Sequence, residues 1–500
     1  MSMNTRLSKP IRVHQSGCLV LVLSITGCTL APTYERPSSP VPPAQGASLL
    51  PGRQDMPAVP GDHELSSDED LLISQLSPDG QLRFLVRSAL TFNRDIRLAA
   101  LRVQEAQALY GMTGADRLPT VAAGLERDRQ HFDNAATNER YGQNLVVASI
   151  GVTDFELDFF GRVRSLSDAA RHDYLATTYG QQAARGALVV QVAKVYLMER
   201  LAAAQQVQAR LVDATEQALL EVARTQQQEG ALSVDDVVSQ QVHVQRAHVQ
   251  LQAATLEYAR TAQALLLVTG YATPLPVMTF EPAHLDEGTP EPSLDVLVDM
   301  PSERLLKRLD IRQSEERLKA ANANIGAARA AFFPSIKLST GIGTSSDSLQ
   351  SLFKSGSGAW LFTPQLSLPL FDGGRNQANL QLAEVRKQIA VAEYEHTVQV
   401  AFREVADVLA RRRQLLDDLR SESALSRLAQ DTAKRVAIEL DVGGAGSTVM
   451  LTSKLRLAEA DMAMRQAHQA VLLNRLDIYR VLLGVDAAPS QLISDNGAAP

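Results

Sequence analysis

Aromatic residues make up only 5% of this 500-residue chain, and Trp occurs once. Large globular cores draw heavily on aromatic side chains; a chain built from helix-on-helix seams of Ala, Leu and Val needs few. Cysteine occurs twice, as Cys18 and Cys28. His243 and His248 are five apart and fall on different helix faces, whereas a metal-binding pair is normally four apart. With no other clustered His or Cys, a metal site is not expected. Beyond residue 28 no apolar run approaches the about 20 residues a membrane-spanning helix needs. Any further crossing must therefore be made by β-strands closed into a barrel. The formal net charge of −7 argues against a general nucleic-acid binder. No nucleophile–base spacing is present, and Asp372-Gly373-Gly374-Arg375 lacks the Lys and Ser/Thr of a phosphate-binding loop. It reads as a strand-to-helix turn. Nothing asks for an enzyme.

What is there begins with a processing signal over residues 1–27. Arg6, Lys9 and Arg12 form a positive start, and a short apolar run follows from Cys18 to Ile25. Small residues then lead to Cys28, the pattern of a cleavable export signal. Ending at Cys, the segment resembles a bacterial lipobox, which implies cleavage before Cys28 and a covalent lipid on it. An ordinary signal with an incidental Cys is the alternative. Cleavage would take the charge from −7 to −10 and leave Cys28 without a disulfide partner in its chain, so packing or oligomerisation must hold the exported protein. Thr29, not Asp, follows the Cys; by resemblance to lipoprotein sorting this implies the outer membrane.

The chain is written twice. Asp95-Ile96-Arg97 recurs as Asp310-Ile311-Arg312, and Leu118-Pro119 as Phe333-Pro334, both at an offset of 215. Phe160-Gly161 aligns with Phe371-Asp372, Gly230 with Gly444, and Leu267-Val268-Thr269-Gly270 with Val481-Leu482-Leu483-Gly484. Five landmarks in order at nearly one offset define an internal repeat. The expected organisation is an anchor and extended linker over 28–79, a first repeat over 80–270, a Pro-rich linker over 271–295, a second repeat over 296–484, and a loose tail over 485–500.

Each copy reads helix, strand, strand, very long helix, turn, helix. From 162 to 229 there is no Pro, and the Gly residues before the turn are Gly180 and Gly186; from 375 to 441 there is neither. Each span would be about 100 Å long at 1.5 Å per residue, a length that implies coiled-coil-like packing. Val398, Ala401, Val405, Val408, Leu415 and Leu419 form one stripe, and Phe402, Leu409 and Leu416 form a second beside it. Two adjacent seams let a helix pack on both sides, as in a tube of helices; a bundle with a broad apolar face fits the stripes equally. Arg411-Arg412-Arg413 reads as a solvated face.

The strands separate the two. Ile336, Leu338, Thr340 and Ile342 alternate with polar or small residues, as do Trp360, Phe362, Leu366, Leu368 and Leu370. Val146, Ala148, Ile150 and Val152, and Val121, Ala123 and Leu125, repeat the pattern in the first copy. Period-two alternation gives one apolar and one polar face, the pattern of a barrel between lipid and water. Near residue 154 the apolar parity switches to Phe155, Leu157 and Phe159, as if the strand left lipid there. Segments 131–143 and 345–359 read as exposed hairpin loops. Four strands per chain cannot close a membrane barrel, since those start at about eight, and an open edge cannot sit in lipid. Three chains would supply twelve.

Three stretches carry a family resemblance: Gly27-Cys28-Thr29-Leu30-Ala31-Pro32; Phe155-Glu156-Leu157-Asp158-Phe159-Phe160-Gly161-Arg162; and Leu368-Pro369-Leu370-Phe371-Asp372-Gly373-Gly374-Arg375. With Tyr394-Glu395 and Ala401-Phe402-Arg403-Glu404-Val405-Ala406-Asp407, they resemble the TolC-type outer-membrane efflux proteins, in the NodT-like lipoprotein branch that serves RND multidrug pumps. The resemblance implies a homotrimer with a 12-stranded β-barrel in outer-membrane lipid and a periplasmic α-helical barrel. It further implies a periplasmic adaptor, an inner-membrane RND-type pump, and passive export of small toxic molecules. A type I secretion outlet and a poreless periplasmic coiled-coil scaffold are the alternatives. The strand-to-helix junctions are Phe160, Gly161, Phe371, Asp372 and Gly373. The tip and gate candidates are Asp235, Asp236, Asp441, Gly444 and Ser447. The family's closed end carries acidic residues, but the second turn here is Gly-rich and 448–453 holds no acid. In the first turn, Asp235 and Asp236 either face the pore or cap a helix, and Ser233 three residues before Asp236 favours the cap. The expectation is closure by helix packing more than by a charged ring.

Overall fold

The computed structural model describes residues 31–37, 65–134, 139–270 and 302–482. Residues 31–37 belong to a first unit, 1–47, and form an exposed irregular segment. Everything else described belongs to the second unit, 48–500. Cys28, the signal segment, the linker over 271–295 and the tail over 485–500 lie outside the described residues.

The first repeat runs α1 (Ser67–Leu76), α2 (Gln81–Phe92), α3 (Arg94–Ala115), β1 (Val121–Asn134), β2 (Glu139–Leu157), α4 (Arg162–Gln228) and α5 (Val234–Thr269). The second runs α6 (Ser302–Leu305), α7 (Leu309–Ala330), β3 (Ser335–Ser346), β4 (Gly358–Ser367), α8 (Arg375–Asp441) and α9 (Ser447–Val481). The long helices α4 and α8 have 67 residues each, and α3 and α7 have 22 each. Helix pairs therefore match at an offset of 215 before the strands and 213 after them; the sheet absorbs the two-residue difference. This corrects two pairings made on sequence. Phe160-Gly161 is equivalent to Gly373-Gly374, not to Phe371-Asp372. Gly230 is equivalent to Gly443, not to Gly444, since Gly230 and Gly443 both hold a left-handed φ, 76° and 80°.

The extended linker expected over 28–79 gives way to structure from residue 65. Ser66 and Glu69 form a reciprocal capping box that starts α1. Leu72, Ile73 and Leu76 then enter the main core, where they join α2, the middle of α4 (Val189 to Leu197), Leu265 of α5 and Leu472, Leu476 and Tyr479 of α9. Glu69 is 2% exposed, and Arg185 of α4 meets it at 2.5 Å.

Close approach between α7 and α4 explains the glycines tolerated there. A Cβ on Gly180 would meet the Gln313 amide at 2.6 Å, and one on Gly326 would meet Ser165 Oγ at 2.7 Å. Tyr110 of α3 stacks on Tyr174 of α4 at 6.3 Å.

The α8 stripe is buried or half-buried from Val398 to Leu419. Of the second stripe, Leu409 and Leu416 are half-buried and Phe402 is 38% exposed. The middle arginine of 411–413 corrects the solvated-face reading. Arg412 is 2% exposed, and its guanidinium donates to the Val471 carbonyl at 3.3 Å. Position 412 lies four past Val408 and three before Leu415, so the stripe's own spacing carries it inward. Its equivalent in α4 is Glu199, also buried, and burial raises the Glu199 carboxyl above its usual range while Arg200 at 3.1 Å pulls it down.

The four strands form one antiparallel sheet in the order β1-β2-β3-β4. The strands reach further than expected: β1 continues through Asn134 and β2 starts at Glu139, so much of 131–143 is strand. The second hairpin loop is 347–357, with a 3₁₀ turn at Leu349–Ser351. β4 stops at Ser367, before Pro369, so Leu368 and Leu370 fall outside it.

Candidate channel wall and helical tips

Register assigns each strand residue to a face. Paired rows such as Ala123–Ile150–Ile342–Trp360 and Val121–Val152–Thr340–Phe362 lie on one side. At these rows that side is apolar and, among the described residues, mostly uncovered, with Ile150, Ile342, Trp360, Phe362 and Leu366 each more than half exposed. The opposite rows are Gly124–Ser149–Gly343–Ala359 and Ala122–Gly151–Gly341–Leu361, mostly tiny side chains, with Glu126, Asp128, Lys337 and Gln365 beyond them. One face suits hydrocarbon and the other suits water.

The parity switch at residue 154 has a different cause from the one expected. Between Val152 and Phe155 β2 takes one more step than β3, and Asp154 sits at φ 55°. This β-bulge resets the period, so Phe155 opposite Leu338 and Leu157 opposite Ile336 stay on the apolar face. The strand keeps its outward side to its end.

Each strand-to-helix junction turns on a glycine. Gly161 (φ 76°) precedes α4, and Gly373 (φ 68°) and Gly374 (φ 85°) precede α8. Carboxylates take up the orphan helix donors. The Arg164 N–H donates to Asp158 at 2.7 Å, and the Gly374 and Asn376 N–H groups donate to Asp372 at 2.9 and 2.8 Å. Arg162 grips Glu156 of β2 with two bonds of 2.8 and 2.6 Å. Phe160 stacks on Phe333 at 4.8 Å, so the two repeats meet at this level, whereas Phe371 is 92% exposed.

The far turns share one hydrogen-bond pattern. In the first, the Ala231 and Leu232 N–H groups donate to the Gln226 carbonyl; in the second, those of Gly444 and Ala445 donate to Glu439. The next residue differs. Ser233 caps α5 in a capping box with Asp236, whose carboxylate accepts from the Ser233 N–H at 3.0 Å and hydroxyl at 2.7 Å. Gly446 occupies the same place before α9 with no side-chain cap, and Ser447 is the first helical residue. Asp235, Asp236, Asp441, Gly444 and Ser447 are all exposed. The Ser233 bonds hold the Asp236 carboxyl below its usual value. A depressed folded-state pKa stabilises above the unfolded value and is lost as pH falls through the folded one. The first tip is therefore expected to fray first as pH drops below about 4, read as faster amide exchange at 234–237. Ser233→Ala should remove that pH dependence, and the second tip should show none from this source.

Among the described residues, a sheet with one apolar face and two open edges, on a chain that also carries two 67-residue helices about 100 Å long, defines a subunit of a membrane channel, part β-barrel and part helical tube. The chain belongs to the outer membrane efflux protein family, whose sequence model matches residues 85–271 and 300–484, once per repeat. It is 35% identical over 469 residues to the cation efflux system protein CusC of Escherichia coli, covering 93% of this chain and 97% of that one. It is 38% identical over 425 residues to the outer membrane protein OprJ of Pseudomonas aeruginosa, covering 83% and 84%. The crystal structure of the open state of the Neisseria gonorrhoeae MtrE outer membrane channel superimposes with a TM-score of 0.68 at 31% identity, covering 92% and 99%. The protein is thus an outer-membrane efflux channel subunit whose helices extend into the periplasm.

Sequence reasoning missed Arg412 and Glu199, because a buried charge and a solvated one look alike in a stripe. It also missed the basic run on the outer side of β1, which the strand period could have exposed.

Proposed function

We propose that three copies assemble into a passive exit duct, which takes small toxic molecules from an inner-membrane pump through a periplasmic adaptor. The observation that carries this reading is the sheet's two open edges. Among the described residues β1 and β4 each lack a neighbour on one side, and an unpaired edge in hydrocarbon is untenable; three copies give twelve strands. Exposed stripes on the helices ask for the same neighbours: Val234, Val238, Val242 and Val249 on α5, and Leu382, Val385 and Ile389 on α8. Such a duct is not an enzyme, and its energy comes from the pump. The adaptor docks at the turns 229–233 and 442–446, and a lipid on Cys28 tethers each chain. Heat-modifiable trimers in outer-membrane fractions, passing single-channel currents in planar bilayers, are the expected result. A water-soluble monomer without currents would overturn the reading. Sensitivity of a deletion strain to a panel of organic toxicants and metal cations identifies the cargo.

The closed state rests on helix packing at the tips. Asp236 is committed to the α5 cap, and the second turn has Thr448 and Val449 where the first has Asp235 and Asp236. Neutralising both, as Asp235→Asn with Asp236→Asn, should change conductance less than twofold, on the order of what a small shift of a screened exposed charge gives. A large rise would show a charged gate.

A further inference from the structure

β1 changes character along its length in a way that efflux does not require. On the outward face Val121, Ala123 and Leu125 are followed by Arg127, Arg129 and His131; on the inward face the same stretch carries Glu126, Asp128 and Gln130. Cations stand outside and carboxylates inside, at the end of the sheet away from the helices.

The second hairpin loop reaches the same place. Asn144, whose side chain shares the face of Val146, accepts from Arg127 Nε at 3.3 Å and donates to the Asp347 carbonyl. The loop therefore folds back over the outward face. Val146 and Leu352 are only 2% and 1% exposed, although most of that face is open. Phe353, next in the loop, is 79% exposed and borders a shallow groove of about 750 Å³ with Ile150, Ile342 and Trp360. Lys354 follows it, also exposed. The one acid of this loop is already engaged, since Asp347 accepts from the Ser346 and Ser351 hydroxyls at 3.3 and 3.2 Å.

Aromatic and aliphatic side chains below a row of cations match the two parts of a phosphorylated lipid, the acyl chains and the charged headgroup. We propose that this outer rim is a binding site for a phosphate-bearing lipid of the outer leaflet. Acyl chain lies in the groove beside Phe353 and Trp360, and phosphate lies against Arg127, Arg129 and Lys354. The proposal rests on the outward face meeting lipid and is continuous with that wall.

The test uses the intact protein and its single Trp. In phosphatidylcholine vesicles with brominated acyl chains, Trp360 fluorescence is expected to be quenched, with or without bis-phosphorylated lipid A. In detergent, lipid A should bind the parent on the order of a hundredfold more tightly than Arg127→Gln/Arg129→Gln/Lys354→Gln, each cation near an anionic headgroup adding roughly fivefold. Dephosphorylated lipid A should lose that preference, and inorganic phosphate should not displace the lipid. Equal affinity of parent and variant, indifference to the phosphates, or displacement by inorganic phosphate would each overturn the site. Should the triple variant fail to assemble, Lys354→Gln alone, in the exposed loop, must still weaken binding roughly fivefold. Quenching without phosphate preference sinks the headgroup site alone; absence of quenching sinks the barrel reading beneath it as well.

Discussion

Deleting Thr153 and Asp154 together is expected to abolish channel assembly, whereas Asp154→Gly is expected to leave it intact. The bulge gives β2 three steps from Val152 to Phe155 against two on β3 from Thr340 to Leu338. Side chains alternate with a period of two, so removing the one extra residue only restores a regular strand, whereas removing two leaves one step against two and turns everything after them to the other face. Phe155 and Leu157 would point into water and Glu156 into lipid, unless the strand slid by a residue. Sliding would pull Glu156 from Arg162, its bidentate partner at the start of α4, and shift that helix. Misplacing two large apolar side chains alone costs about 3–5 kcal/mol per chain, and a trimer would carry it three times. Glycine at 154 keeps the extra residue and removes the strain of a non-glycine at φ 55°, worth about 1 kcal/mol. The bond from the Asp154 N–H to Ser339 Oγ at 3.0 Å survives, because it uses only backbone at 154. Heat-modifiable trimer from outer-membrane fractions is the measurement. Parental trimer yield from the double deletion would show that this register is not required for assembly.

Much of this architecture could be read from the chain because its signals are long and regular. The predicted span of α8, 375–441, matches its ends, since the absence of Gly and Pro leaves nothing to stop the helix between Gly374 and Gly443. Apart from the end of β2, the sides of the strands are legible from alternation, and the proposed trimeric closure follows by counting. What failed depended on single backbone conformations or on neighbours distant in sequence. Which of Gly443, Gly444 and Gly446 ends α8 is decided by one left-handed φ, and composition is silent on that choice. The parity break at 154 admitted two explanations, and only register separates a strand changing sides from a bulge that prevents it. Arg412 looked solvated beside Arg411 and Arg413 because its burial comes from α9, 59 residues away. The helix α1 announces itself only in its Ser66–Glu69 capping box before an apolar run, a short signal that the proline-rich segment preceding it obscures. At the tips the sequence reading of Ser233 and Asp236 as a cap agrees with the geometry, since that motif is local.

Gly343→Ala and Gly151→Ala are each expected to destabilise the barrel strongly, while Gly124→Ala, on the same inward face, is expected to be nearly silent. A Cβ on Gly343 would lie 2.0 Å from the Ala148 carbonyl oxygen, and one on Gly151 would lie 2.2 Å from that of Thr340. Both contacts are with backbone of the paired strand, which cannot rotate away like a side chain, so β2 and β3 must part. Gly124 has nothing within 4 Å, and Gly341 meets the Ile150 oxygen only at 3.5 Å, an ordinary contact. The expected order of damage is therefore Gly343 and Gly151 first, Gly341 far behind, Gly124 least. Overpacking of this kind costs about 3 kcal/mol where neighbours cannot yield. The seam concerned is the one that joins the first repeat's hairpin to the second's, so its loss divides every protomer's share of the wall in two. Glycine here serves the duct twice: it lets the sheet bend tightly at this level, and it keeps the inner side free of bulk where cargo passes. The two roles separate by experiment. If glycine acted only by keeping the lumen wide, alanine at any of the four positions would lower conductance slightly and leave thermal stability alone. A clash at the seam instead lowers the melting temperature of assembled trimer at Gly343 and Gly151, with conductance through the surviving channels unchanged.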